Sequence, residues 1–449
     1  MRFSIDKSSA QMDGAVKYLL GVIGTEPWQK RIRDLERICR EFQLLEETVF
    51  ELYPIELAMG EILGGMLPSD DAYEFSVSRH RYDLLAFATS VFEFHVGASK
   101  PAQFRLEGMI RDGLKSDKGL GPLRHELSTA VHMISAGWDV EFVDLEQGGG
   151  VDYIGRRNGV ELEIECKSIS GDLGRQVSRR HAVQAFSEMR PILDEACRGR
   201  NGGAMYRVVF PDKLTGNLGQ REELVSAVRS AIASSDGSFS NDAFAVSRVT
   251  FESEPLIFNP EGGGFNRAVA RQYLADRFGI ENREMCFVGS PSGGVIGVSL
   301  ESRRPDKVLQ GIGRQLRDSA KSQFTRSRAG ILSVQLYAIS HDDLLRLGRD
   351  SGGSERPSTG FDYLAHEIFR GESTAHMLAL AFRSHEPIVS SGEIRGHVLQ
   401  QTHQASGHCY VSTNMSHPFA SVRSANPFLS DMERSPALRR NRRKRRSMW

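Results

Sequence analysis

Val160-Glu161-Leu162-Glu163-Ile164-Glu165-Cys166-Lys167 is the stretch whose reading decides the fold. Charged and apolar residues alternate with period two, the pattern of a strand with one face turned to a core. Glu161, Glu163, Glu165 and Lys167 share one face, and Leu162, Ile164 and Cys166 share the other. The residues just before it, Arg156-Arg157-Asn158-Gly159, end in the dipeptide that favours a two-residue hairpin turn. The strand is therefore expected to pair antiparallel with Val151-Asp152-Tyr153-Ile154, which follows the loop Gly148-Gly149-Gly150.

Working outward, a helix is expected from Pro122 to Ala136, with proline in its first turn and Gly137 at its end. A strand from Trp138 to Leu145 follows it. After the opening strand come a helix from about Gln176 to Cys197 and a strand from Met205 to Phe210. The order is helix, three strands, helix, strand.

The charged face has chemical meaning because of what the hairpin brings beside it. Asp152 at one strand end and Glu165 on the paired strand can reach one hard cation, and Mg²⁺ takes oxygen ligands of this kind, with Mn²⁺ as a substitute. The Cys166 carbonyl could supply a third oxygen. Lys167 would lie beside a metal-bound water and orient it, and Glu126 on the preceding helix could support the metal or a second water. Phosphodiester hydrolysis needs an activated water and a cation to neutralise developing charge. Asp144 is the alternative first acid, and Glu163 is the residue most readily confused with Glu165. Glu161 and Glu163 read as solvating an exposed part of the strand face.

Asp152, twelve intervening residues and Glu165-Cys166-Lys167, set in an αβββαβ order, resemble the PD-(D/E)xK nuclease superfamily. The resemblance covers about residues 119–210, with Val151 standing where the family name has proline. It implies catalytic roles for Asp152, Glu165 and Lys167, often joined by a helix glutamate placed like Glu126. It also implies a Mg²⁺-dependent endonuclease acting on DNA, as in restriction-type antiviral defence. A glutamine on the following helix assists in some members, and Gln184 is the candidate here. The rival expectation is a nucleic-acid or protein interaction module that keeps the fold without turnover.

The fold class expected for the whole chain is multidomain α/β, with a restriction-endonuclease-like core. Residues 1–118 read as a helical N-terminal domain, residues 119–236 as the nuclease-like domain and residues 237–350 as a second α/β segment. In that segment Phe244–Phe251, Met285–Val288, Val295–Leu300 and Ile331–Leu336 are expected strands, and Lys307 to Phe324 an expected helix. A faint echo links VELEIECK, a helix and AMYRVVF to VIGVSLESR, a helix and AGILSVQL. Residues 351–433 form a C-terminal region with a helix near Phe361 to Phe369, and residues 434–449 a basic disordered tail. The N-terminal helices are a candidate surface for a homodimer or a partner protein.

Lys plus Arg and Asp plus Glu both number 57, so affinity for nucleic acid must come from local clusters. The tail supplies one, through Arg442, Arg443, Lys444 and Arg445, where each phosphate contact would release counterions. Arg175, Arg179, Arg180 and Arg190 on the helix after the motif could line the same groove. Five scattered cysteines without a CxxC suggest neither a zinc module nor a disulfide framework. No apolar run reaches the roughly eighteen residues of a membrane span, and a cytoplasmic location is expected. His125-Glu126 is not part of HExxH, because Thr129 occupies the needed position. Glu301-Ser302-Arg303 mimics the acid–x–base pattern, but no acidic strand end precedes it.

Overall fold

The computed structural model describes residues 9–404 except 42–48, 51, 65–70, 201, 253–257, 260–263, 266–272, 275–276, 279–282, 291–293, 338, 340–359 and 391–392. The chain begins with helices α1 (Ser9–Ile23), α2 (Thr25–Glu41), α3 (Pro54–Ile62), α4 (Asp71–Gly97), α5 (Lys100–Gly113) and α6 (Gly121–Ser135). Proline occupies the first turn of α3, α5 and α6, where its missing N–H costs no hydrogen bond. Ser99 caps α5 by accepting the Ala102 amide at 3.3 Å. On α2, Trp28, Ile32, Leu35 and Cys39 recur at helical spacing and are all buried.

β1 (Asp139–Phe142) is shorter than the expected strand. From Val143 the chain turns into a short helix, α7 (Val143–Gln147), which Gly148 ends in the left-handed region at φ 78°. β2 (Tyr153–Arg157) and β3 (Val160–Ser170) then form the hairpin. Asn158 (φ 49°) and Gly159 (φ 77°) both take positive φ, as a type I′ turn requires.

Beyond β3 come α8 (Arg179–Cys197), β4 (Gly202–Phe210), α9 (Leu218–Ala233), β5 (Phe239–Ser240) and β6 (Ala245–Phe251). A two-stranded ladder of β7 (Phe258–Asn259) and β8 (Gly264–Phe265) precedes β9 (Arg283–Gly289) and β10 (Gly294–Ser302). The chain continues through α10 (Val308–Ser322), β11 (Ala329–Tyr337), α11 (Gly360–Phe369), β12 (Met377–Ser390) and β13 (Glu393–Gln404).

Two larger sheets result, and they correct the expected layout. One sheet runs β1-β2-β3-β11-β12-β13 and the other β5-β6-β4-β10-β9. β4, expected as the closing strand of the αβββαβ core that holds β3, instead pairs parallel with β10, from Gly202↔Gly294 to Phe210↔Ser302. The parallel neighbour of β3 is β11, from Leu162↔Ala329 to Ser170↔Tyr337. The four strands of the echo do pair, but crosswise. β4 and β11 are both runs rich in apolar residues, as strands buried on both faces require, so either would satisfy the local pattern. The expected boundary between residues 236 and 237 therefore cuts through both sheets, parting β3 from β11 and β4 from β10.

The N-terminal helices are likewise no separate domain. Leu19, Trp28, Leu106, Leu123, Leu127 and Ala130 share one core with Leu162, Ile164 and Cys166 of β3 and with Ile331 of β11. On the opposite face of the same sheet, Ile154, Ile169, Leu332 and Val334 pack against Ile312 and Leu316 of α10 and Leu364 of α11. A further core lies in the second sheet, where Phe186, Met189 and Leu193 of α8 and Leu224 and Val228 of α9 meet Tyr206, Ile296 and Val298. Among the described residues no helix is long and apolar enough to cross a membrane.

Candidate active site

Hairpin register places the first two carboxylates. β2 and β3 pair up to Tyr153↔Ile164, so the next positions, Asp152 and Glu165, are cross-strand neighbours. The Asp152 Oδ2 accepts the backbone amide of Cys166 at 2.6 Å, which fixes the carboxylate against β3. Two residues along β3 on the same face, Lys167 brings its Nζ to 2.5 Å from Glu165 Oε1. Glu165 is 3% exposed, and among the described residues its Oε2 is buried without a hydrogen-bond partner.

Glu126 comes from α6, which packs on the face of the sheet that carries Leu162, Ile164 and Cys166. The start of α6 is set by Glu56, 1% exposed on α3, whose Oε1 accepts the Leu120 amide at 2.9 Å. One turn further, buried His125 places its Nε2 3.1 Å from the Ser333 carbonyl of β11. Burial, aided by the positive Arg383, holds the His125 pKa down at about 3, so this imidazole is neutral. His125 is thus a spacer between helix and sheet.

The carboxylates act on one another. Burial first, and the negative charge of Glu165 next, push the Asp152 pKa up to about 7. Burial followed by Asp152, Glu165 and Asp144 raises Glu126 well above the usual carboxylate range. Glu165 is raised too, by burial, although Lys167 opposes the shift. Burial works against the Lys167 ammonium, yet Glu165, Asp152 and Glu126 outweigh it and the pKa is raised. Asp152, Glu165 and Lys167 are brought together by hydrogen bonding and ion pairing, and Glu126 bears on them through its charge. Asp144, at the start of α7, acts on Glu126, Asp152 and Glu165 and so belongs to the same neighbourhood.

The Cys166 thiol faces the helix-side core and is pushed well above its usual pKa by burial and then by Asp152 and Glu126. It is a packing residue in its protonated form. Glu163 corrects the reading of β3 as a partly solvated face, because it is completely buried. Its Oε2 accepts the Thr325 amide at 2.9 Å, its Oε1 accepts the Thr325 hydroxyl, and Arg328 Nη1 lies 3.3 Å away. Glu163 ties down the loop before β11. Glu161 stays at the surface between Arg156 (2.8 Å) and Arg328 (2.7 Å).

Gln184 does not join the site. It lies on α8, which packs on the second sheet, and its Oε1 sits 3.4 Å from Arg221 Nη1. The helix leading into the parallel neighbour of β3 is α10, so a role for a glutamine on that helix cannot attach to Gln184. Arg179 and Arg180 occupy the first turn of α8, where the Arg179 amide donates to Asp172 Oδ1 at 2.9 Å. The Arg180 guanidinium is engaged by Asp117 at 2.8 Å. Arg175 pairs with Glu284 at 3.0 Å, and Arg190 lies 3.6 Å from Asp194. Arg442, Arg443, Lys444 and Arg445 lie outside the described residues.

Among the described residues no three or more His, Cys, Asp or Glu side chains already form a metal-ligating set. The donor chemistry nevertheless fits a hard divalent cation: neighbouring carboxylates that raise one another's pKa, with the buried Glu165 Oε2 unpartnered among the described residues. No family model, curated protein or solved structure matches this chain.

Proposed function

We propose that this protein is a divalent-metal-dependent endonuclease of the PD-(D/E)xK type that hydrolyses phosphodiester bonds in DNA, with defence against foreign DNA as its setting. The observation that carries the reading is the meeting of half-buried Asp152 and buried Glu165 across the hairpin, with the Lys167 ammonium 2.5 Å from Glu165 Oε1. On this reading the αβββαβ core is α6-β1-β2-β3-α10-β11, with the closing helix and strand delivered from far along the chain.

Asp152, Glu165 and the Cys166 carbonyl would hold Mg²⁺, or Mn²⁺ in its place, with Glu126 in support. The bound cation supplies charge neutralisation and a more acidic water. Lys167, held by Glu165, orients the attacking water and keeps a positive charge beside the developing phosphorane. Glu126, whose pKa is raised by burial and by the neighbouring carboxylates, would donate to or share a proton with a neighbouring oxygen. Burial on both sides of the sheet limits competing solvent, which strengthens each of these interactions.

The rival reading is a non-catalytic nucleic-acid or protein interaction module. It draws on the ion pair that ties Lys167 to Glu165 and on the lack of a converged ligand set among the described residues. The two separate in one experiment. The full chain is incubated with plasmid, linear duplex, single-stranded DNA and RNA in Mg²⁺, Mn²⁺ or EDTA, beside Asp152→Ala and Lys167→Ala. Metal-dependent cleavage of DNA that both variants lose supports the nuclease. Salt-sensitive binding without cleavage in any metal supports the module.

A further inference from the structure

The strands that leave and re-enter the site-bearing sheet meet in space. After β3 the chain passes Gly171 to Arg175 into α8, and after β10 it returns through Arg303 to Lys307 into α10. The Lys307 amide donates to the Gly174 carbonyl at 2.9 Å, and the Gln176 amide donates to Asp306 Oδ1 at 2.7 Å. Gly174 sits at φ 83°, and a Cβ there would stand 2.4 Å from the Lys307 carbonyl oxygen. Only glycine lets the two crossing segments lie this close.

Among the described residues, the chain between these segments packs chiefly on itself. The hydrophobic cores of the second sheet draw, among the described residues, on those from Val177 to Leu300 and on none outside that interval. The cores on both faces of the first sheet contain, among the described residues, none from it. Close packing among the described helices and strands likewise stays on one side or the other of the crossing. Beyond the neck, Arg180 reaches Asp117 in the loop before α6, an ion pair exposed at both ends and of small energetic weight.

We infer that residues 175–306 are an inserted module whose core unfolds and refolds independently of the sheet that carries Asp152, Glu165 and Lys167. Two cores joined by two short crossing segments and an exposed ion pair form separate cooperative units, because opening one exposes little of the other. The neck begins a few residues past Lys167, so the module stands at the end of β3 where the candidate site lies, yet Glu126, Asp152, Glu165 and Lys167 all lie outside it. This inference holds whether or not the chain is a nuclease.

The test is hydrogen–deuterium exchange on the full chain carrying Ile296→Ala in the module or Leu332→Ala in the first sheet, both fully buried positions. Ile296→Ala is expected to speed exchange at β4 and β10 about 100-fold and to leave β3 and β11 unchanged. Leu332→Ala is expected to do the reverse. Ile296→Val, expected to give about fivefold on the module alone, carries the comparison if the alanine variant unfolds. Acceleration of both sheets by a similar factor in any of these variants overturns the inference.

Discussion

Asp152 and Glu165 stand opposite one another across the β2–β3 hairpin, and the Cys166 amide holds the Asp152 carboxylate there at 2.6 Å. Glu165 is buried and Asp152 half-buried, and the charge of one disfavours ionisation of the other. The metal-free protein is accordingly under electrostatic load at neutral pH.

That load has a pH signature. The Asp152 pKa is raised from 3.8 to about 7 in the folded protein, so the native state binds a proton that the unfolded chain has released. The contribution is fully present below pH 4 and is lost as pH rises through about 7. Asp152→Asn keeps an acceptor for the Cys166 amide and removes the charge. Urea denaturation in EDTA should find the variant stabler than wild type by on the order of 1–3 kcal/mol at pH 8, with the difference shrinking toward pH 4. A difference that does not change with pH would contradict the assigned repulsion.

Metal affinity follows the same proton. A divalent cation competes with protons on Asp152 and Glu165, so Mn²⁺ should bind at least tenfold more tightly at pH 8 than at pH 6. Isothermal titration calorimetry in two buffers of different ionisation enthalpy would count the protons released. Glu165→Gln should lose most of the affinity, and retention of wild-type binding would remove Glu165 from the ligand set.

Glu163 and Glu165 are neighbours in sequence pattern with opposite expected fates. Glu163→Ala strands the Thr325 amide and Arg328 in a buried setting and should cost about 2–4 kcal/mol of stability. Its cleavage rate per folded molecule should stay within a few fold of wild type. Glu165→Ala should leave stability in EDTA unchanged or raised, and abolish cleavage. Thermal melts paired with rates measured well below the melting range separate the two.

Glu56 is expected to act through α6. Glu56→Gln retains an oxygen for the Leu120 amide and should be nearly neutral. Glu56→Leu leaves that amide buried and unpaired, at about 1–3 kcal/mol. Chemical denaturation of both variants checks this, and equal costs would mean that the carboxylate is not setting the start of the helix.

Much of the local structure was legible in sequence. Asn158-Gly159 specified the hairpin, and the hairpin placed Asp152 beside Glu165, because turn type fixes register. Strand partners were not legible. β4 and β11 each follow a helix and each present a buried apolar run, and nothing local tells β3 which of them will lie beside it. The inserted module therefore remained hidden. Alternation also placed Glu163 on the correct face without revealing that a loop more than a hundred residues away would bury it. Two other features were missed for local reasons. Val143–Gln147 continues the apolar pattern of β1 but turns helical, and β12 has an alternation of Leu and Ala too weak to announce a strand.

The measurement that bears most directly on the central claim is the single-turnover cleavage rate of duplex DNA in Mg²⁺, for wild type and Lys167→Ala at equal folded concentration. The arrangement of Asp152, Glu165 and Lys167 predicts cleavage that stops with EDTA and falls by about 1000-fold in the variant. Cleavage that survives EDTA, or a Lys167→Ala rate equal to wild type, would contradict it.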